Sequence, residues 1–181
     1  MIPLLPFRGP ALPFWLLAGF LLLVLLAGGG SRSDIPSLLL IRPVAGLLFI
    51  VGLFGLTELQ RERHAVLLAL MFAAMGLVAL QLLPLPPFLW QLLPDRASVV
   101  QIDAVAELGA IWRPVSLVPW RTANALFALL VPAAILLLAI QLPGIWQRRL
   151  LWLILGVAVV SAALGLFQRM APSESPLFFY R

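Results

Sequence analysis

Apolar and polar positions alternate along this chain in long blocks, not in single steps. Apolar runs over 11–27, 38–57, 65–83, 122–141 and 150–167 are parted by shorter polar or proline-rich segments. A helix needs about 20 mostly apolar residues to cross a bilayer, within roughly 17 to 25. Each run meets or approaches that length, and none alternates in the way that would keep one face in water. The pattern predicts an all-α polytopic transmembrane bundle of about five spans, with 1–181 forming a single integral-membrane domain. One long mixed loop, 84–121, separates the third span from the fourth.

The ends of the runs carry their own signals. The first follows Arg8 and closes on Gly28-Gly29-Gly30. A secretory signal peptide also begins with a basic residue and an apolar run, but no A-x-A site follows and four more runs come later, so the segment reads as a retained helix. Arg42-Pro43 lies near the start of the second run, where proline costs little and arginine can snorkel to headgroups. The third stops before the Pro84, Pro86, Pro87 cluster, and the fourth holds Pro132 as an expected kink. In the fifth, Ala158 with Ala162 and Ser161 with Gly165 form a small-residue strip. It reads equally as a helix-packing surface and as the ordinary content of an alanine-rich helix.

Composition confirms the class. Hydrophobic residues make up 63% of the 181 and charged residues 10%, against roughly a quarter charged in soluble domains. The net charge of +5 comes entirely from arginines scattered between apolar runs. Placed there, they are topology signals and headgroup contacts; the bilayer is the expected partner and nucleic acid is not. The chain has no cysteine and one histidine, His64, which excludes disulfides, thiolate chemistry and a multi-histidine metal site from this chain alone. No cofactor is expected, and oligomeric state is not legible. The six tryptophans fall near run ends or around the long loop, as an aromatic belt would.

Orientation follows the arginines of short loops. With the N-terminus inside, Arg8, Arg61, Arg63, Arg148 and Arg149 are cytoplasmic, while Arg32, Arg42, Arg96, Arg113, Arg121, Arg169 and Arg181 lie opposite. Raw counting favours the reverse. Discounting the long loop and the tail favours the N-terminus inside, which makes the long loop periplasmic.

Within that loop, Pro84 to Pro94 is too apolar for water and is expected at the interface. A short helix should follow, capped by Asp95. Arg96, Asp103 and Glu107 fall on one face of it. The two acids are conceivable as a catalytic pair, but they read first as a solvated stripe. Arg113-Pro114 and Pro119 bias the next stretch to an extended course, and Thr122 is placed to cap the fourth span.

The order Pro114, Ser116, Leu117, Pro119 and Thr122, then Gln147-Arg148-Arg149, then Gly165-Leu166-Phe167-Gln168 resembles the N-terminal half of the O-antigen ligase and polymerase family. Family members often have an aspartate before the second proline, where this chain has Val118. The resemblance covers 84–181 in register. It implies a GT-C-like glycosyltransferase of the bacterial inner membrane, moving glycan from an undecaprenyl-diphosphate carrier at the periplasmic face. In the family the catalytic arginines and histidine belong to later helices and a later loop, and an Asn-Arg-Asn-His segment follows soon after the point where this sequence ends. The resemblance therefore implies a truncated member and assigns no catalytic residue here. Arg113 and Arg121 are the candidates for contact with lipid phosphate, from a carrier or from bulk headgroups. The alternative is a small non-catalytic polytopic protein, an accessory or scaffold subunit. A transporter half fits less well, because no run has a charge at mid-depth.

Overall fold

The computed structural model describes residues 11–26 and 37–170, apart from the side chains of 164 and 168–170. Arg8, the glycine run, Arg32 and Arg181 lie outside them. Five apolar helices correspond to the five runs: α1 (Ala11–Leu26), α2 (Leu38–Gly55), α4 (Ala65–Leu80), α7 (Pro119–Ala139) and α8 (Gly144–Met170). Between α2 and α4 lies a short helix, α3 (Glu58–Arg63). Three of the helices, Leu38–Gly55, Pro119–Ala139 and Gly144–Phe167 within α8, are long and apolar enough to cross a membrane, which marks the chain as a membrane protein. The described stretches of α1 and α4 are apolar but shorter, at 16 residues each.

Several boundaries differ from the sequence expectation. Helix α7 begins at Pro119, not Thr122, because proline suits a first helical position: its missing N–H is one that the first turn leaves unpaired anyway. Helix α8 begins at Gly144, so Gln147-Arg148-Arg149 is helical and not loop. The polar stretch after α2 is also helical. Its start is fixed by a capping box, with the Gln60 backbone N–H donating to Thr57 Oγ1 and the Thr57 N–H donating to Gln60 Oε1. Helix α7 runs through Pro132 and α2 through Pro43.

Helix α7 is the hub, touching α1, α2 and α4. Its Val131, Ala134 and Leu138 pack with Phe14, Leu17 and Ala18 of α1 and with Ile41, Ala45 and Leu48 of α2. A second cluster joins Leu137 and Ile140 to Leu56 and Leu68. The α2–α7 seam is close: a Cβ on Gly52 would lie 2.8 Å from Leu137 Cβ, nearer than carbon atoms pack. Small residues at such a crossing let backbones approach, which drives association where lipid is as apolar as leucine.

Pairing across the seam fixes direction. Arg42 meets Phe127, and Gly52 meets Leu137, so α2 and α7 run parallel. Phe49 meets Phe72, while Leu56 meets Leu68, so α4 runs against α2. Phe14 meets Trp146, so the starts of α1 and α8 lie together. The bundle therefore has two distinct ends. Residues 81–118 close one, the loop end; α3 and the α7–α8 turn close the other, the far end. The arginines with described side chains divide accordingly, Arg169 not being among them: Arg42, Arg96, Arg113 and Arg121 toward the loop end, and Arg61, Arg63, Arg148 and Arg149 at the far end.

At the far end one side chain ties two helices together. The last four carbonyls of a helix have no intrahelical donor. Gln141 Nε2 donates to two of these, Gly52 O and Leu137 O, both at 2.8 Å. Gly55 leaves the room for that amide, since a Cβ there would meet Gln141 Oε1 at 2.5 Å. Outward from this core, large apolar side chains of α2, α4 and α8 are exposed, as lipid contact requires. The strip of Ala158, Ser161, Ala162 and Gly165 is exposed among them.

Candidate functional site

The loop end is a small folded unit, not a slack connector. Strand β1 (Pro84–Leu85) pairs antiparallel with β2 (Arg113–Pro114), Pro84 opposite Pro114 and Leu85 opposite Arg113. Two prolines facing each other can donate no hydrogen bond, so the ladder cannot extend through them. Other groups hold the strands together. The Ser116 N–H donates to Gln81 O at 3.0 Å. Arg96 donates from one terminal nitrogen to the carbonyls of Pro114 and Val115.

Arg96 is 4% exposed and Asp103 6%. The solvated stripe expected from the sequence is therefore not what forms. Asp103 sits in α6 (Ala97–Val105) and accepts from Arg113 Nε at 2.8 Å and from an Arg113 terminal nitrogen, a bidentate pair. Glu107 is exposed, and its backbone turns at φ 51 beyond the end of α6. The two acids thus do not act on one point, which removes the idea of a catalytic carboxylate pair. Asp95 does not cap α6 either. It adopts φ 60, the cap position falls to Arg96, and Arg96 makes no side-chain capping bond. Left-handed residues on both sides of α6, with Gly109 at φ 67, turn the chain sharply into and out of the helix.

The second support is aromatic. Helix α5 (Pro87–Trp90) starts on a proline, and Trp90 is 2% exposed. Its indole N–H donates to Ile111 O at 3.0 Å, and the Arg113 guanidinium lies 5.8 Å from its ring centroid. Trp90 thus belongs to the core of this unit and not to an aromatic belt. Trp15, Trp112, Trp120 and Trp152 are exposed, as belt residues would be.

The stretch from Pro114 to Thr122 then leads into α7. Ser116 Oγ lies 2.6 Å from Thr122 Oγ1 and accepts from the Val118 N–H at 3.2 Å, a hydroxyl-closed turn ahead of the helix. Thr122 therefore acts on the lead-in, from inside the first turn, and does not cap the helix.

Of the two sequence-predicted phosphate contacts, the structure gives different surroundings. Arg113 is held by Asp103 and Trp90, with 32% of its side chain exposed. Arg121 is exposed and stacks on Trp120 at 5.4 Å, with no carboxylate partner among the described residues. The two are thus not brought to one point. His64 lies at the far end, half-buried between α3 and α4. No group of three or more metal-ligating side chains gathers among the described residues. Sequence reasoning missed Gln141 as a tie and Arg96 as the centre of the loop. It also missed that Arg42 Nε is buried without a hydrogen-bond partner. The signal for Arg96 was Pro84, which faces Pro114 with no N–H to give, so that the Pro114 carbonyl takes its donor from outside the strand pair.

No family model matches the chain, and no curated protein or solved structure matches it either.

Proposed function

We propose that the chain is the N-terminal membrane portion of an O-antigen ligase/polymerase-like glycosyltransferase, with GT-C-like architecture. On this reading all five apolar helices span the bacterial inner membrane and the loop end faces the periplasm. Its part in function is to frame the groove that receives an undecaprenyl-diphosphate-linked glycan, and no catalytic group is assigned to it. The observation that supports this reading best is the run from Pro114 to Thr122: it is a bonded turn at the mouth of α7, presenting Arg121 and Trp120 outward. A diphosphate leaving group needs fixed cations at the membrane boundary, and an arginine stacked on an indole is held in place to serve.

The test uses the chain reconstituted in phosphatidylcholine nanodiscs, with undecaprenyl diphosphate and undecaprenol as probes. Retention of the diphosphate at least several-fold above the alcohol is expected, falling in Arg121→Gln. Equal retention of both lipids contradicts the reading.

A second reading, a non-catalytic scaffold or accessory subunit, is favoured by one feature. The charged side chains buried in the loop are spent on the loop itself, Arg96 on carbonyls and Asp103 on Arg113. Retention of neither probe, with stable folding, supports that alternative.

A further inference from the structure

Arg42 is a cation inside an apolar helix. It is the fifth residue of α2, whose mean hydropathy of 2.2 suits a membrane span. At 1.5 Å per residue it stands about 6 Å along the axis from Leu38. Its side chain is half-buried, and Nε is buried with no hydrogen-bond partner. Its guanidinium carbon lies 5.9 Å from the centroid of the Phe127 ring. A guanidinium cannot shed its charge, and a desolvated, unpaired N–H of a cation is costly. Such groups in membrane spans pair with something.

The described chain does not supply that partner. The described acids toward this end of the bundle are Asp95, Asp103 and Glu107; Asp103 is taken by Arg113, and no ion pair reaches Arg42. The surroundings add positive charge instead. Trp120 and Phe127 are seven residues apart, two turns, and so share one face of α7. Each carries an arginine, Arg121 over the first and Arg42 over the second, and both rings are about half exposed. Two aromatic-held cations thus follow one face of α7, about 10 Å apart along its axis, Arg121 near the loop and Arg42 of α2 about two turns further along α7.

We infer that this seam holds the phosphate of an anionic membrane lipid, with Arg42 as the inner contact and Arg121 as the outer. A lipid phosphate sits at the depth where a cation one turn inside a span can reach it, and its oxygens accept from the planar fork. The apolar surface below Phe127 accommodates the acyl chains. The inference shares Arg121 with the carrier reading but is tested at Arg42, to which that reading gives no part, so it holds for a scaffold as for an enzyme.

The experiment measures lipid retained by the whole chain in native mass spectrometry, from phosphatidylcholine nanodiscs doped with phosphatidylglycerol. One saturable phosphatidylglycerol is expected, with retention about tenfold weaker in Arg42→Gln, the loss of one charge-assisted contact. Arg42→Lys should keep part of it. Thermal unfolding guards against a folding artefact: phosphatidylglycerol should raise the Tm of the parent chain but not of Arg42→Gln, which melts no lower than the parent in phosphatidylcholine alone. Undiminished retention in Arg42→Gln overturns the inference, as does equal retention of phosphatidylcholine. Displacement of the lipid by equimolar inorganic phosphate overturns the lipid assignment in favour of a free-phosphate site. Asp34 and Glu174 lie outside the described residues; if Asp34→Asn or Glu174→Gln raises retention several-fold, Arg42 is already paired within the chain and the inference fails.

Discussion

The α2–α7 seam and the folded loop solve one problem by different means. Inside the seam the backbone is satisfied by helix formation, so the side chains need only fit. Gly52 and Leu137 do this by shape, with a single polar tie from Gln141 where both helices run out of donors. In the loop the backbone is interrupted by prolines and turns, and carbonyls are left over. Arg96 collects two of these, Trp90 takes a third at Ile111, and an Asp103–Arg113 pair buried on the Asp103 side braces the loop. Polar side chains are thus recruited where the chain stops bonding to itself: the Gln141 amide, the Arg96 guanidinium and the Trp90 indole each donate to a leftover carbonyl.

The sharpest way to break this comparison is Arg96→Ala. It removes two charge-assisted bonds to part-buried carbonyls, an expected loss of about 3 kcal/mol. The loss should be local: limited proteolysis between 95 and 113 accelerates, while helical circular dichroism from the bundle stays. Gly52→Val should do the reverse. It forces atoms into a gap of 2.8 Å, costing about 2 kcal/mol by overpacking. Detergent-induced unfolding of the bundle should come earlier, with the loop no more protease-sensitive than before until the bundle melts. Smaller still is Asp103→Asn, about 1 kcal/mol, because Arg113 keeps a third of its side chain in solvent. It should loosen the loop without exposing it fully. Equal effects of Arg96→Ala on both regions would merge them into one cooperative unit.

Most of the bundle was legible because apolar blocks of this length have one outcome in lipid. Boundaries were less so. Pro119 opens α7 and Arg148-Arg149 fall inside α8, since proline at a first turn and arginine near a helix end cost little. The loop misled for a different reason. Helical spacing put Arg96, Asp103 and Glu107 on one face, and a charged face was assigned to water. Its true partners, Arg113 and the carbonyls of 114 and 115, are ten or more residues away and approach only through the β1–β2 pairing. Trp90 was misplaced likewise, because its acceptor at Ile111 is a tertiary contact. Thr122 was expected as the cap of the fourth span; the helix starts three residues earlier, and Thr122 instead closes a turn with Ser116 that the sequence did not announce.

On the proposed reading the loop end and the far end of this bundle lie on opposite sides of a membrane. With no native cysteine anywhere in the chain, single substitutions give a clean measurement. Glu107→Cys reports the loop and Glu62→Cys the far end; both positions are exposed. Labelled with a membrane-impermeant maleimide in intact bacterial cells with a permeabilised outer membrane, Glu107→Cys should react at once. Glu62→Cys should react only after the inner membrane is disrupted. Labelling of both in intact cells, or of neither, contradicts the two-sided bundle; the inverse pattern keeps the bundle but turns the loop end to the cytoplasm and sinks the periplasmic reading.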